Sequence, residues 1–96
     1  MAATRIEVLE EAKKIISTTR EQEYGSPETS FMEIAEYWNL YLSQQGYLVD
    51  GTSLTRGDVA IMMALLKIAR MNHFFKLDNF IDLCGYAALA AEMEED

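Results

Sequence analysis

The chain has 96 residues and a mass of 10.9 kDa, which suits one compact domain over 1–96 and is too short for two. Half of the residues are hydrophobic and 10% aromatic, with 5 Gly and 1 Pro, so disordered, collagen-like and low-complexity chains are excluded. Sixteen acidic against eight basic residues give a net charge of −8, which opposes non-specific binding to nucleic acid phosphates and directs attention to cations, or to small anions held by a few local bases.

No apolar run reaches the roughly 18 to 20 residues needed to cross a bilayer, and Met1 to Thr19 carries charges throughout, so a soluble cytoplasmic protein without membrane contact is expected. The single Cys84 rules out an internal disulfide and a cysteine metal cluster. An acidic DNA mimic is conceivable from charge alone. However, the carboxylates are spread over helical turns and four sit in the tail Glu92, Glu94, Glu95 and Asp96, the pattern of a solvated face.

Taken in chain order, the sequence predicts four helices, over about 4–19, 27–45, 56–72 and 78–94. Thr4 with Glu7 is a capping box, and Ile6, Leu9, Ala12, Ile15 and Ile16 follow at helical spacing. Ser26 before Pro27 reads as an N-cap with proline in the first turn, with Ser30 and Glu33 as a competing start one turn later. Phe31, Ile34, Ala35, Trp38, Tyr41 and Leu42 then keep helical period up to Gly46, and are core residues first. After a loop containing Asp50-Gly51, Thr55 with Asp58 caps the third helix. Val59 to Leu66 is apolar at every position, which predicts a central helix touched on several sides. The fourth helix begins near Asp78 and is expected to bury Phe80, Leu83, Cys84, Ala87 and Ala91. Its interior Gly85 costs roughly 1 kcal/mol relative to Ala, a cost that a close approach by another helix or a ligand would offset. The expected architecture is an all-α four-helix bundle. The short chain and its apolar third helix point to a homo-oligomer.

Charges that interrupt apolar helices are the best candidates for chemistry, because a buried charge is costly unless paired. Lys67 and Arg70 share one side of helix three, and Asp78 and Asp82 one side of helix four, with Tyr86 a further turn along. An antiparallel hairpin of these helices places both pairs near its closed end. Two readings are open there. Either the four charges form an interhelical salt-bridge network, or the aspartates hold a cation such as Mg²⁺ while the bases neutralise phosphate oxygens. Glu33 and Glu36 add an acidic pair three apart on helix two, either as its wet edge or, together with Asp78 and Asp82, as a four-carboxylate metal site between helices. His73 has no catalytic companion, Cys84 lies in an apolar stretch, and Met62, Met63, Met71 and Met93 are core filler. No dinucleotide-binding, P-loop, nucleophile-elbow or zinc-protease motif is present.

Tyr24-Gly25, Phe31, Trp38, Asp58-Val59-Ala60, Lys67-Ile68-Ala69-Arg70, Asp78-Asn79-Phe80-Ile81-Asp82 and Gly85-Tyr86-Ala87 together resemble a family of small helical proteins of bacteriophages and prophages. The resemblance covers about Glu21 to Glu92. In outline that family is similar to the MazG-like all-α NTP pyrophosphohydrolases, which bind Mg²⁺ through an E-x-x-E helix and an E-x-x-D helix and cleave nucleoside triphosphates to monophosphate and pyrophosphate. Carried over, the resemblance implies Glu33, Glu36 and Asp82 as catalytic carboxylates and Mg²⁺ ligands, with Asp78, one place before the missing motif glutamate, as a substitute fourth ligand. Lys67, Arg70, Tyr86 and Tyr24 would contact a nucleotide. Asn79 stands where the second motif has its glutamate, and Met32 replaces a glutamate often found before Glu33. Fewer anionic ligands weaken metal binding and water activation, so binding can persist where hydrolysis does not. Three functions follow as expectations: a nucleotide pyrophosphohydrolase, a non-catalytic binder that sequesters a nucleotide or nucleotide-like signal, and a helical interaction module without a small ligand.

Overall fold

A computed structural model describes residues 3–19 and 26–94 of the chain. These residues form four α-helices and no strand: α1 (Arg5–Lys14), α2 (Pro27–Gln44), α3 (Arg56–Arg70) and α4 (Leu77–Glu94). A π-helical turn, Ile15–Thr19, continues α1.

Local chemistry sets the helix starts. The Thr4 hydroxyl accepts from the Glu7 amide while the Glu7 carboxylate accepts from the Thr4 backbone, so each satisfies a donor the other leaves free. Thr55 and Asp58 repeat the arrangement at α3. At α2 the Ser26 hydroxyl accepts from the Thr29 amide and Pro27 occupies the first turn, which settles the start in favour of Ser26 over Ser30. The helix ends at Gly46, whose φ of 75° lets its amide reach the Ser43 carbonyl and the Tyr47 amide the Leu42 carbonyl.

α3 and α4 form a hairpin across 71–76 and share the most extensive helix contact, with α2 packed on α3 and α1 on α4. The core gathers Phe31 and Ala35 from α2, Val59 and Ala60 from α3, and Tyr86, Leu89, Ala90 and Met93 from α4. The Phe31 and Tyr86 rings meet with centroids 6.1 Å apart, tying α2 to α4.

Two expectations about burial are corrected. The central helix is α4, which buries Asn79, Ile81, Gly85, Tyr86, Leu89, Ala90 and Met93, whereas α3 buries only Gly57, Val59 and Ala60. An apolar stretch does not say which of its sides is covered, and only one side of α3 is. The buried face of α4 is also not the one expected: Phe80, Ala87 and Ala91 are exposed and Leu83 and Cys84 half-buried. Leu77 to Ala91 is apolar nearly all round, so a turn of the helix by one residue exchanges one apolar face for another. On α1, Ile6 and Leu9 are exposed, and on α2 Tyr41 is, so these stripes are buried only in part.

Gly85 fulfils its sequence expectation. A Cβ there would stand 3.0 Å from Cγ2 of Ile16, so glycine is what lets the π-helical turn rest against α4.

Candidate functional site

The α3–α4 hairpin gathers the residues that the sequence singled out. Lys67 lies in the last turn of α3 and Asp82 in the second turn of α4; Lys67 Nζ stands 2.9 Å from Asp82 Oδ2, with the side chains only 13% and 20% exposed. The salt-bridge reading of the charge cluster therefore holds for this pair. Little water reaches the two charges, so each depends on the other. An ammonium has three donors, and its bond to Asp82 leaves two to be directed elsewhere.

A crevice opens beside this pair. Ile81, Asp82, Gly85, Tyr86 and Leu89 form its α4 wall, and Ala12, Ile15 and Ile16 form the opposite wall from α1 and the π-helical turn, so the lining is mostly apolar. It has room for about one water molecule. The Ser17 hydroxyl donates to the Lys13 carbonyl at 2.7 Å, a side-chain bond into the backbone where α-helical spacing gives way to π. Such turns recur at functional sites.

The other site residues are distributed differently. Tyr86 is buried with its ring on Phe31, so its aromatic face serves the core. Arg70 is exposed at the end of α3 and makes no ion pair among the described residues. Asp78 is exposed in the first turn of α4, where a carboxylate complements the helix N-terminus. Glu33 and Glu36 are exposed on α2. At 100° per residue they stand about 200° and 140° round the helix from Phe31, the residue that faces α4. One chain therefore does not bring Glu33 and Glu36 together with Asp78 and Asp82: no group of three or more His, Cys, Asp or Glu among the described residues is placed to hold a metal ion. Tyr24 lies outside the described residues. His73 is exposed in the hairpin turn, and Cys84 is a half-buried free thiol.

Two features escaped the sequence reading. The π-helical turn has no sequence signature beyond the run Ile15-Ile16-Ser17-Thr18-Thr19, whose β-branched residues and serine are weak α-formers. Asn39 clamps the α2–α3 loop: its Nδ2 donates to the Leu54 carbonyl at 3.0 Å and its Oδ1 accepts from the Leu54 amide at 2.7 Å. A polar residue between Trp38 and Leu40 on an apolar helix was the available signal.

Among the described residues no helix is long and apolar enough to cross a membrane. No solved structure matches the chain. It is 36% identical over 88 residues to the Gene 55 protein of Mycobacterium phage L5, covering 91% of this chain and 52% of that protein. To the Gene 55 protein of Mycobacterium phage D29 it is 33% identical over 90 residues, covering 93% of this chain and 54% of that protein. The chain thus spans about half the length of these curated relatives, and the likeness to phage proteins agrees with the phage resemblance of its motifs. The model of the family described as "Domain of unknown function (DUF6378)" matches residues 7–94, nearly the whole chain, and the chain belongs to that family.

Proposed function

We propose that the chain binds a nucleoside phosphate, or a nucleotide-like signal, at the α3–α4 hairpin without cleaving it. The observation that carries this reading is the Lys67–Asp82 ion pair beside a crevice that Asp82, Gly85 and Tyr86 line together with residues of the π-helical turn. These residues come from separate sequence elements of the phage resemblance. In this reading Asp82 holds Lys67 in place, Lys67 turns its remaining donors to a phosphate oxygen, and exposed Arg70, one turn further along α3, offers its planar fork to the same phosphates.

Hydrolysis of the MazG type is the stronger form of the proposal. It requires Mg²⁺ among Glu33, Glu36, Asp78 and Asp82, with the α2 pair and the α4 pair brought to one ion. Mg²⁺ belongs to the binding reading as a partner of the phosphates, whose charge it neutralises.

The test is thermal unfolding against ribo- and deoxyribonucleoside mono-, di- and triphosphates, each with and without Mg²⁺. A ligand at about 100 times its Kd stabilises by about 2.7 kcal/mol, on the order of 10 °C or more for a domain of this size. A shift confined to one class of nucleotide, without release of pyrophosphate or phosphate, is the expected result. A shift accompanied by pyrophosphate release replaces the binder with a hydrolase, and no shift across the panel overturns the proposal.

A further inference from the structure

A second concavity lies at the other end of the contact between α1 and α4. The two helices run parallel, since Ile16 after α1 stands against Gly85, whereas Val8 and Leu9 share a groove with Leu77 and Phe80 nearer the helix starts. This groove measures about 480 Å³, the size of a small-molecule site. Its lining is apolar apart from Arg5 and the Cys84 thiol. Phe75, in the hairpin turn, tilts against Phe80 with ring centroids 5.5 Å apart, so its ring is held at the groove although 75% of the residue is exposed. The groove shares no residue with the crevice beside Asp82.

We propose that this groove binds a small apolar anion, a carboxylate with an aliphatic or aromatic body, the body lying on Leu9, Phe75 and Phe80 and the carboxylate meeting Arg5. Arg5 is the one charged side chain that lines the groove. It is exposed and makes no ion pair among the described residues. As the first residue of α1 it sits where the helix dipole opposes a cation, so the helix does not account for it. Lys76, directly before α4, is a second exposed base at the same end, again without an ion pair among the described residues. The neighbouring acids are turned away. At 100° per residue, Glu7 stands about 200° round α1 from Arg5, and Asp78 about 200° round α4 from Phe80; Glu7 is also taken up by Thr4. A bound carboxylate therefore gives Arg5 a counter-charge that the chain does not supply. A small monoanion meets these bases within a Debye length of about 8 Å, whereas a large acidic partner or an anionic bilayer meets the whole −8 of the chain. This inference does not depend on nucleotide binding and stands or falls separately from it.

Cys84 is the one cysteine of the chain and lines the groove, so its rate of reaction with a maleimide reports occupancy at this place. The test follows that rate against decanoate below its micellar concentration, and against decanol, which has the same hydrocarbon chain without the charge. Circular dichroism follows helix content throughout. Decanoate is expected to slow labelling saturably with helix content unchanged. In Arg5→Gln the concentration for half-protection should rise about tenfold, the loss of one charge-assisted contact, while Arg5→Lys, which keeps the charge, should recover part of the protection. Decanol should act equally on wild type and Arg5→Gln. Labelling that decanoate leaves unchanged or accelerates overturns the proposal, as does equal protection of wild type and Arg5→Gln by decanoate.

Discussion

Removal of one partner of the Lys67–Asp82 pair should cost far more than removal of both. The ions are 2.9 Å apart, and at the effective dielectric of about 20 suited to such sites their attraction is about 6 kcal/mol before desolvation is subtracted. Desolvation of two groups that are only 13% and 20% exposed offsets most of that, so the pair as a whole is nearly neutral against uncharged side chains of similar size. Asp82→Asn leaves the Lys67 ammonium in place without its counter-charge. For a fully buried ion that costs about 3–5 kcal/mol; here the lysine stem can swing its head toward water, which lowers the expectation to about 2–3 kcal/mol. At about 4–8 °C per kcal/mol for a domain of this size, the melting temperature should fall by about 8–24 °C. Lys67→Met leaves the carboxylate unpaired and should cost a similar amount. The double variant Lys67→Met/Asp82→Asn should recover to within about 1 kcal/mol of wild type, a coupling of at least about 3 kcal/mol in the mutant cycle. Chemical denaturation of the four proteins supplies the numbers. Additive losses, or an Asp82→Asn protein that melts with wild type, would refute the claim that the two charges sustain each other.

Other consequences follow from particular contacts. At an open helical position Gly→Ala gains about 1 kcal/mol, but Gly85→Ala places its methyl 3.0 Å from Ile16 and should yield no gain. In an Ile16→Ala background the same change should recover most of it, and equal effects in both backgrounds would contradict the close approach. Asn39→Ala removes both bonds to Leu54 and should destabilise by about 1–3 kcal/mol, with faster amide exchange at Leu54. Ser26→Ala should cost about 1 kcal/mol by loss of the α2 cap, whereas Ser30→Ala, inside the helix, should cost less; the reverse order would move the helix start to Ser30.

Helix starts were legible in the sequence because capping is short-range chemistry: Thr4 with Glu7, Ser26 with Pro27 and Thr55 with Asp58 carry the signal within three residues. Lys67 and Asp82 were legible for a related reason, since a charge in an apolar stretch has to find a partner. Burial was less legible. Where apolar residues surround a helix, as in α3 and much of α4, the pattern does not say which side faces the core; α3 shows its Ile61–Leu65–Ile68 row outward and α4 turns Phe80 out in favour of Ile81. The pair Glu33 and Glu36 has the spacing of a metal motif, yet spacing fixes only the relation between the two, and Phe31 and Ala35 direct them away from α4. The Asn39 clamp depends on a partner distant in sequence, Leu54, which no local pattern reveals, whereas the close approach of Ile16 to α4 was signalled by the interior Gly85 though not its partner.

Calorimetric titration of nucleoside triphosphate with Mg²⁺ into wild type and Arg70→Ala tests the central claim most directly. Arg70 is exposed and outside the Lys67–Asp82 pair, so its loss should leave the melting temperature nearly unchanged while one charge-assisted contact to phosphate, about 1.5–3 kcal/mol, disappears. The account predicts saturable binding to wild type, weakened by about tenfold or more in Arg70→Ala. Absence of saturable binding to wild type, or equal affinity in the two proteins, would contradict it.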